Sequence, residues 1–346
     1  MDERATGNEG GGMASTGLGE RGPTVSRLCL GTMMFGGATD EGESRAIIEA
    51  FGAAGGTFID TADVYNDGAS ERVVGRAIEG ARERWTVATK LGNPMPSDAS
   101  SGGLSAAWVR RGLARSLERM GMERTDILYL HCDDEVTPLE ETLGALGEEI
   151  AAGRVGAWGF SNHRAWKVAD MVRVAERLGV PLPVVAQPYY HALYRVMEID
   201  LLPACRHFGI GVVPYSPLAR GVLTGKYANG VPEGSRAARG DQRINETEMR
   251  PALIEAARGF ADHARQSDRE PGGVALAWVL ANPIVSSVLI GPRTLDQLHG
   301  YLEWMRTPHR EEDEGAIDAL CAPGCTVGGN YADPRYPYRG RPVRHA

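Results

Sequence analysis

The sequence predicts an α/β protein with a single domain, a (β/α)8 TIM barrel in which parallel strands alternate with helices. Three observations support this fold class. Short apolar and β-branched segments occur eight times along the 346 residues, mostly with roughly 25 to 40 residues between their starts. Amphipathic segments with helical spacing separate them. The number and the size of these units match one closed barrel.

Each predicted strand is a short apolar run that ends in polar residues. Continuous apolar strands that alternate with helices are typical of a parallel sheet covered by helices. The eight strands are LCLGTMM (28–34), TFID (57–60), WTVATKLG (85–92), DILYLH (126–131), VGAWGFSN (155–162), VVAQPYY (184–190), GIGVVPYSP (209–217) and VSSVLIGP (285–292).

The predicted helices have apolar residues at every third or fourth position, and several end at glycine, as helices commonly do. The clearest are ESRAIIEAFGAAGG (43–56), LSAAWVRRGLARSLERMG (104–121), PLEETLGALGEEIAAGR (138–154) and RAWKVADMVRVAERLG (164–179).

The interval between residues 217 and 285 is longer than the others and contains a loop rich in Gly and Arg, RGVLTGKYANGVPEGSRAARGDQR (220–243). Loops of this length usually have a function. We predict a disordered tail, a barrel domain and a C-terminal loop or tail that closes over the substrate. Their bounds are 1–15, with Met13 as an alternative first residue, 16–322 and 323–346.

Composition and charge argue against several classes of protein. The formal net charge of −8 makes nucleic acid an unsuitable partner, because phosphate backbones are bound by dense basic surface. No apolar run approaches the roughly 20 residues that span a bilayer. Acidic and glycine residues stand where a signal peptide would be basic and then apolar. The five cysteines are scattered, and a single CAPGC does not complete a zinc site. We predict a cytoplasmic protein with no metal.

Lysine is rare in this chain. Only Lys90, Lys167 and Lys226 are lysines among the 37 basic residues. An ammonium is compact and its pKa can be shifted, whereas arginine is effectively always charged. A retained lysine therefore indicates a position where a guanidinium would not serve. For Lys167 we expect a position on the solvated surface, where the lysine has been retained by chance.

One glycine-rich motif does not have the context that its function requires. GLGERG (17–22) satisfies the G-x-G-x-x-G pattern of dinucleotide-binding folds. That pattern needs a strand before it and a helix after it, so that backbone amides face a pyrophosphate. Here the predicted tail precedes it and no helical period follows, so we interpret the match as compositional.

Four titratable residues follow three consecutive strands. Asp60, Lys90 and His131 stand at strand ends, and Tyr65 lies in the loop beyond Asp60. In a parallel barrel these ends meet at one mouth, so we expect the four side chains to converge. Together they suit the reduction of a carbonyl, in which the oxygen must receive a proton. A phenol with a pKa near 10 is a reluctant donor, and a neighbouring ammonium lowers that pKa.

Several motifs occur in the same order as in the aldo-keto reductases, from about residue 24 to residue 305. The chain most resembles the branch that includes the voltage-gated potassium channel β subunits and bacterial oxidoreductases. The motifs are GTMMFGG (31–37), FIDTADVYNDGASE (58–71), TKLG (89–92), TDILYLH (125–131), GFSNH (159–163), QPYYH (187–191), PYSPLARGVLTGKY (214–227) and IGPRTLDQL (290–298).

The resemblance implies a (β/α)8 barrel that reduces aldehydes or ketones with NADPH, and in which the long loop after strand 7 covers the cofactor. The family's catalytic tetrad falls on Asp60, Tyr65, Lys90 and His131. Tyr65 is then the general acid, Lys90 and Asp60 tune it, and His131 orients the substrate. The reaction is reversible, so alcohol oxidation is the alternative direction.

The resemblance also implies cofactor contacts. Gly31, Thr32, Met33 and Asp60 match positions beside the nicotinamide and its ribose, and Tyr215 matches the aromatic residue that stacks on the ring. The family's residues that hold the carboxamide of the nicotinamide correspond to Ser161, Asn162 and Gln187. The segment along the pyrophosphate corresponds to Ser216, Pro217, Leu218, Ala219 and Gly221. The adenosine phosphate end corresponds to Lys226, Arg236, Gly291, Arg293 and Gln297. Guanidinium groups at that end favour NADPH over NADH.

The chain departs from the family pattern in two places. Gly300 and Tyr301 stand where the family often has Glu and Asn beside adenosine, so Tyr301 is a candidate to pack on the adenine. Cys132, Asp133 and Asp134 follow His131, where the family usually has x-Pro-Asp.

Other functions stay open at this stage. The first is a cofactor-binding regulatory subunit with little turnover, as in the channel β subunits. The second is a metal-dependent barrel hydrolase, which would need clustered histidines or carboxylates at strand ends. For the reductase we expect a small carbonyl compound as substrate and neither nucleic acid nor a membrane as partner. A homo-oligomer is compatible with this interpretation.

Overall fold

The computed structural model describes residues 13–329 and 335–336. The sheet confirms the fold class and all eight predicted strands, which run parallel in one eight-stranded sheet. In chain order these strands are β3 (Leu28–Gly31), β4 (Phe58–Asp60), β5 (Thr86–Leu91), β6 (Thr125–Leu130), β7 (Val155–Ser161), β8 (Val185–Gln187), β9 (Gly211–Val212) and β10 (Val288–Ile290). Their spatial order is β10-β3-β4-β5-β6-β7-β8-β9.

The barrel closes between β9 and β10 through isolated bridges and not through a continuous ladder. Parallel bridges join Val212 to Val285 and Tyr215 to Leu289. The amide of Ser286 donates to the carbonyl of Val212 at 2.9 Å. Because the sheet meets itself, the carboxyl ends of all eight strands surround one mouth, as expected for this fold.

A hairpin covers the opposite end of the barrel. Strand β1 (Ser15–Gly17) pairs antiparallel with β2 (Thr24–Ser26), so regular structure begins at the last residue of the predicted tail. Residues 1–12 lie outside the described residues. Leu18 is fully buried with interior residues such as Phe58 and Tyr129. The GLGERG stretch thus lies in a hairpin and not in a strand-to-helix turn.

Gly19 shows why that hairpin turn needs glycine. Its φ is +63°, and a Cβ atom there would lie 2.5 Å from the carbonyl oxygen of Gly209. Such a contact is too close for any side chain, and a left-handed φ favours glycine. The backbone of the hairpin can therefore approach the amino-terminal ends of the barrel strands directly.

The helices surround the sheet and include all four clearest predicted segments, which correspond to α1, α3, α4 and α5. Within the described part of the chain the α-helices are α1 (Glu41–Ala53), α2 (Ala69–Ile78), α3 (Ala106–Met120), α4 (Leu139–Ala151), α5 (Ala165–Leu178), α6 (Leu201–His207), α7 (Gln242–Thr247), α8 (Pro251–Gln266), α9 (Pro271–Ala281), α10 (Leu295–Trp304) and α11 (Glu311–Leu320).

Local sequence explains where several helices begin and end. The side chain of Asp40 accepts a hydrogen bond from the amide of Glu43, and that of Ser105 accepts one from Trp108. Such caps satisfy amides that have no partner within the helix. Gly121 and Gly179 follow α3 and α5 with left-handed φ values of 63° and 68°. Glycine adopts this conformation without a steric penalty.

The long interval after β9 contains more regular structure than the sequence predicts. A 3-10 segment at 219–224 opens it, and α7, α8 and α9 follow before β10. The predicted Gly- and Arg-rich loop remains irregular between residues 225 and 241. Within residues 13–329 and 335–336, no helix is long and apolar enough to cross a membrane.

Candidate active site

The structure brings the four predicted catalytic side chains together at the mouth of the barrel. Asp60 ends β4, and Lys90 lies one residue before the end of β5. The ammonium of Lys90 forms an ion pair with Asp60 and donates a hydrogen bond to the carbonyl of Thr61 at 2.8 Å. It also lies 3.3 Å from the hydroxyl oxygen of Tyr65. Lys90 is therefore the centre of this group, and it is fully buried.

His131 completes the group from the end of β6. Its ring packs edge-on against the ring of Tyr65, with centroids 5.9 Å apart and an interplanar angle of 81°. Burial, and then the charges of Lys90 and Arg335, lower the pKa of His131 well below its ordinary value. The imidazole is consequently neutral at physiological pH. Its Nδ1 has no hydrogen-bond partner among the described residues.

The protonation of Tyr65 differs from the sequence-based expectation. Lys90 does lower the pKa of the phenol, as predicted, but burial raises it by more, and the pKa lies above its ordinary value. The lowering effect of the ammonium is thus confirmed, but the net shift is upward because desolvation penalises the phenolate by more. Burial also disfavours the charged form of Lys90, yet Asp60 and Tyr65 raise the pKa of Lys90 above its ordinary value. The site thus holds a protonated phenol beside an ammonium.

A network of amide and hydroxyl groups adjoins this centre. Gln187 donates from Nε2 to Oδ2 of Asp60 at 2.8 Å. Ser161 donates to the backbone carbonyl of Gln187 at 2.7 Å and accepts from Nδ2 of Asn162 at 2.9 Å. The hydroxyl of Tyr215 donates to Oδ1 of Asn162 at 2.9 Å. These four predicted residues therefore form one preorganised polar surface.

One cavity of about 860 Å³ connects this surface with the long loop after β9. Ligand pockets usually have volumes of about 300 to 1,000 Å³. Most of the residues predicted for the site line this cavity. They are Gly31, Met33, Asp60, Tyr65, His131, Ser161, Asn162, Gln187, Tyr215, Ser216, Pro217, Leu218, Gly221, Lys226, Arg236, Gly291, Arg293 and Gln297.

Three predicted residues do not line the cavity. Lys90 lies behind Tyr65, which suits a residue that acts through the phenol. The hydroxyl of Thr32 is turned inward, where it donates to the carbonyl of Asp60 at 3.0 Å. Ala219 is fully buried in the core. Both side chains pack inside the protein, so the cofactor contacts predicted for Thr32 and Ala219 stay a prediction that only their backbone atoms could fulfil.

The far end of the cavity is positively charged. Burial, followed by the charges of Arg293, Arg239 and Arg236, lowers the pKa of Lys226. Arg236 forms an ion pair with Asp241 through Nε at 2.7 Å. Its Nη2 is nearly inaccessible and has no hydrogen-bond partner within the described ranges. Cations that repel one another around an unused donor form a site suited to an anion.

Backbone strain is concentrated in the loops at the mouth. Left-handed φ values are uncommon outside glycine and cluster at functional sites. The described non-glycine residues with positive φ that lie in the loops around the mouth are Asn66, Asp67, Asn162, Ser216, Ala219 and Arg220.

Several residues of the cavity were not singled out from the sequence. Arg220 and Trp304 line it, and so do Arg335 and Tyr336 from the C-terminal stretch. The hydroxyl of Tyr336 accepts a hydrogen bond of 3.4 Å from Asn93. Arg220 stands inside a quoted motif, which was an available signal. Arg335 and Tyr336 belong to the stretch 323–346, which was predicted to close over the substrate, whereas Trp304 offered no motif signal.

The two departures from the family pattern can also be placed. Tyr301 lines the cavity and packs edge-on against Trp304, with centroids 5.4 Å apart. Its packing on an adenine stays a prediction. Asp133 lies near His163 and Lys167, at 4.0 Å and 3.4 Å respectively. The remainder of the C-terminal loop (330–334 and 337–346) lies outside the described residues.

The site shows no arrangement suited to a metal-dependent hydrolase. Within residues 13–329 and 335–336, no group of three or more His, Cys, Asp or Glu side chains could hold a metal ion. The chemical possibilities of the cavity therefore come from its phenol, its ammonium, its neutral imidazole and its cationic end.

Comparisons with known proteins agree with this geometry. An uncharacterized oxidoreductase of Bacillus subtilis (strain 168) is 37% identical over 298 residues, which cover 83% of this chain and 89% of that protein. A probable voltage-gated potassium channel subunit beta of Oryza sativa subsp. japonica is 35% identical over 290 residues, 81% of this chain and 88% of that protein. The L-glyceraldehyde 3-phosphate reductase of Escherichia coli (strain K12) is 34% identical over 292 residues, 81% and 84% respectively. Residues 27–322 match the aldo/keto reductase family as a whole. The barrel, the site at its mouth and these similarities together establish that the chain belongs to the aldo/keto reductase family.

Proposed function

We propose that this protein is an NADPH-dependent reductase that converts an aldehyde or a ketone into the corresponding alcohol. One observation carries the proposal, namely that a single cavity joins two complementary ends. At one end a protonated phenol, that of Tyr65, lies 3.3 Å from the ammonium of Lys90. At the other end Lys226, Arg236 and Arg293 line the wall. The first end suits proton donation to a carbonyl oxygen, and the second suits a phosphate.

The residues along the cavity fit a nicotinamide dinucleotide that carries a 2′-phosphate. Lys226, Arg236 and Arg293 line this end of the cavity, and their ammonium and guanidinium groups are donors suited to a phosphate. Burial, and then the charges of Arg293, Arg239 and Arg236, lowers the pKa of Lys226, and a phosphate would offset the repulsion among these cations. A Cβ atom added at Gly291 would meet no atom within 4 Å, so the backbone there borders open space.

We assign the cofactor contacts along the cavity from its catalytic end to its cationic end. Gly31 and Met33 border the ribose beside the nicotinamide, and Tyr215 stacks on the ring. Ser161, Asn162 and Gln187 hold the carboxamide. The diphosphate would lie along Ser216, Pro217, Leu218 and Gly221. The 2′-phosphate and adenosine would be held by Lys226, Arg236, Arg293 and Gln297, all of which line the cavity.

Bound NADPH supplies the hydride that a carbonyl carbon accepts. Tyr65 donates its proton to the oxygen on which negative charge develops. Lys90 stabilises the phenolate that remains, while Asp60 keeps Lys90 charged and in position. The neutral His131 binds the carbonyl oxygen and orients it, without adding a second strong acid. Solvent then returns a proton to Tyr65.

The experiment measures NADPH oxidation by the purified protein with small aldehydes, ketones and quinones, and NADP+ reduction with the corresponding alcohols. Tyr65→Phe is compared with Tyr190→Phe, a buried tyrosine whose hydroxyl contacts Glu198 away from the cavity. We expect turnover to fall at least a thousand-fold in Tyr65→Phe alone, with NADPH binding retained. Failure of the protein to bind NADPH would refute the proposal.

The second candidate function is that of an NADPH-binding regulatory subunit. The relative named as a potassium channel subunit beta favours this alternative. Tight NADPH binding without turnover of any compound in either direction would support it over the reductase. Equal activity of the wild type and Tyr65→Phe would contradict the assignment of the general acid.

A further inference from the structure

The two loops that present His131 and Asn162 are joined to each other. His131 follows β6, and Asn162 follows β7. Nδ2 of Asn162 donates to the backbone carbonyl of His131 at 2.9 Å. The position of the His131 imidazole therefore depends on how these two loops are placed relative to each other. The same holds for the side-chain amide of Asn162, which is hydrogen-bonded to Tyr215.

A second connection lies two residues beyond His131, at the position where the chain departs from the family pattern. The carboxylate of Asp133 is 3.4 Å from the ammonium of Lys167, which stands in the first turn of α5. The side chains of Asp133 and Lys167 are only 20% and 12% exposed. The expectation that Lys167 lies on a solvated surface is therefore wrong.

The ammonium of Lys167 lies beside two groups, and its contact with Asp133 is an ion pair without a hydrogen bond, since Oδ1 of Asp133 has no hydrogen-bond partner among the described residues. Besides Asp133, it contacts the face of the Trp166 ring, 5.5 Å from the ring centroid. A compact ammonium can approach one carboxylate as a point charge, whereas a planar guanidinium spreads its charge over several donors. This is consistent with a lysine at this position in a chain that mostly uses arginine.

The protonation of His163 decides which cation is paired with Asp133. Its Nδ1 lies 2.8 Å from the carbonyl oxygen of Ser161 and must donate, because a carbonyl can only accept. In the neutral ring Nε2 is then an acceptor, and it faces Asp133 at 4.0 Å without a hydrogen-bond partner in the described part of the chain. Burial lowers the pKa of His163 to about 4, against the opposing charge of Asp133. At neutral pH Lys167 is therefore the cation that balances Asp133.

We propose that the Asp133–Lys167 ion pair positions the active site, by holding the loop that presents His131 against the loop and helix that follow β7. In the family pattern proline usually occupies the position of Asp133 and restricts the backbone there. This chain replaces that covalent restriction by an ion pair. Asp133 and Lys167 are positioning residues that act through His131 and Asn162, and the inference rests on the proposed reductase function.

A double-mutant cycle tests the proposal. The variants are Asp133→Asn, Lys167→Met and the double variant, with Asp170→Asn on the same helix as the matched control for the loss of an exposed carboxylate paired with Arg173. We expect each single variant to lower kcat about ten-fold and to increase the isotope effect measured with 4-deuterated NADPH. The double variant should be no slower than either single variant, because both changes break the same contact. Unchanged kcat in the single variants, or fully additive losses, would overturn the proposal.

Asp133→Pro tests the comparison with the family pattern. The amide of Asp133 takes part in no hydrogen bond among residues 13–329 and 335–336, so proline removes no donor that the fold uses. We expect Asp133→Pro to keep kcat within about three-fold of the wild type and to make Lys167→Met silent. If Asp133→Pro folds but has a kcat as low as that of Asp133→Asn, the inference that the ion pair takes the place of the proline would be wrong.

A readout that does not require turnover keeps the two proposals separate. NMR titration of the His163 imidazole should give a higher pKa in Lys167→Met, because a neighbouring cation is lost, and a lower pKa in Asp133→Asn. No change in either variant would show that the pair does not exist in solution. If the wild type turns over no substrate, the proposed function fails, whereas the titration still judges the ion pair.

Discussion

Gln187 donates a hydrogen bond of 2.8 Å to Asp60 across the mouth of the barrel, from the end of β8 to the end of β4. It binds Oδ2 of the carboxylate, while Lys90 binds Oδ1. Asp60 is fully buried, so each of its oxygens needs a donor. The contact also joins the amide proposed for the nicotinamide carboxamide to the ion pair behind the phenol.

Gln187→Leu should destabilise the protein because it removes one of these donors. A buried acceptor left without a partner costs about 1–3 kcal/mol. We expect a loss of this size in the free energy of unfolding, measured with urea, together with a lower kcat. Gln266→Leu at the exposed end of α8 is the control and should leave both quantities unchanged. Equal stability of the two variants would contradict the role given to this hydrogen bond.

Lys90→Met should be more destabilising than any other single change at the mouth. It leaves the carboxylate of Asp60 buried without its cation, which costs about 3–5 kcal/mol. Adding Asp60→Asn removes that charge, and we expect the double variant to regain a large part of the stability. Turnover should remain lost in both variants, since neither has an ammonium beside Tyr65. Recovery of activity in the double variant would contradict the role of Lys90.

Lys226→Met and Arg293→Met should weaken NADPH binding selectively. A charge-assisted hydrogen bond contributes about 1.5–3 kcal/mol, so each change should raise the Kd for NADPH about ten-fold or more. The Kd for NADH should change little, because NADH has no 2′-phosphate. Fluorescence titration with both nucleotides measures this, and Arg45→Met, which breaks an exposed pair with Glu49 on α1, is the control. Equal losses for both nucleotides would argue against a 2′-phosphate site.

Asp63 should make the protein less stable as the pH rises. Its carboxyl group is fully buried, and neither oxygen has a hydrogen-bond partner in the part of the chain that the structure describes. Burial, and then the charge of Glu71, raises the pKa of Asp63 to about 8. The pKa of Asp63 in the unfolded chain is about 3.9. At pH values between this pKa and the folded pKa of about 8, the native state retains a proton that the unfolded state has lost. The free energy of unfolding therefore falls with rising pH in this window.

Asp63→Asn removes this penalty, because the amide is neutral at every pH. We expect the variant and the wild type to be similarly stable at pH 4. The variant should become the more stable one towards pH 8, by at most about 1.4 kcal/mol for each pH unit. Urea unfolding at pH 4, 6 and 8 measures the difference. A stability difference that is independent of pH would show that Asp63 ionises normally in the folded protein.

Much of the catalytic centre follows from the sequence because its members occupy strand ends. Asp60, Lys90 and His131 end apolar runs, and the carboxyl ends of parallel strands meet at one mouth. Tyr65 lies close enough along the chain to Asp60 to be placed with it. The direction of the Tyr65 pKa could not be obtained in this way, because it is the difference between burial and a neighbouring charge.

Other features depend on which way a side chain points. Thr32 stands within a motif that borders the cavity, yet its hydroxyl is turned towards Ser70 and the carbonyl of Asp60. A motif specifies residue types and the course of the backbone, and it does not specify a rotamer. Lys167 was misjudged for a related reason, since its partner Asp133 is distant in sequence and becomes a neighbour only when β6 and β7 lie side by side.

The sequence by itself determined the barrel, the order of its strands and the identity of the four residues at its mouth, because hydrophobic periodicity and strand ends are local properties of the chain. Only the tertiary structure decided which groups are protonated, which donors remain unused and which distant loops are joined. The balance at Tyr65, the unused Nη2 of Arg236 and the contact of Asp133 with Lys167 all depend on burial and on distances between separate segments. Desolvation and Coulomb energies change steeply with such distances, and a linear sequence does not contain them.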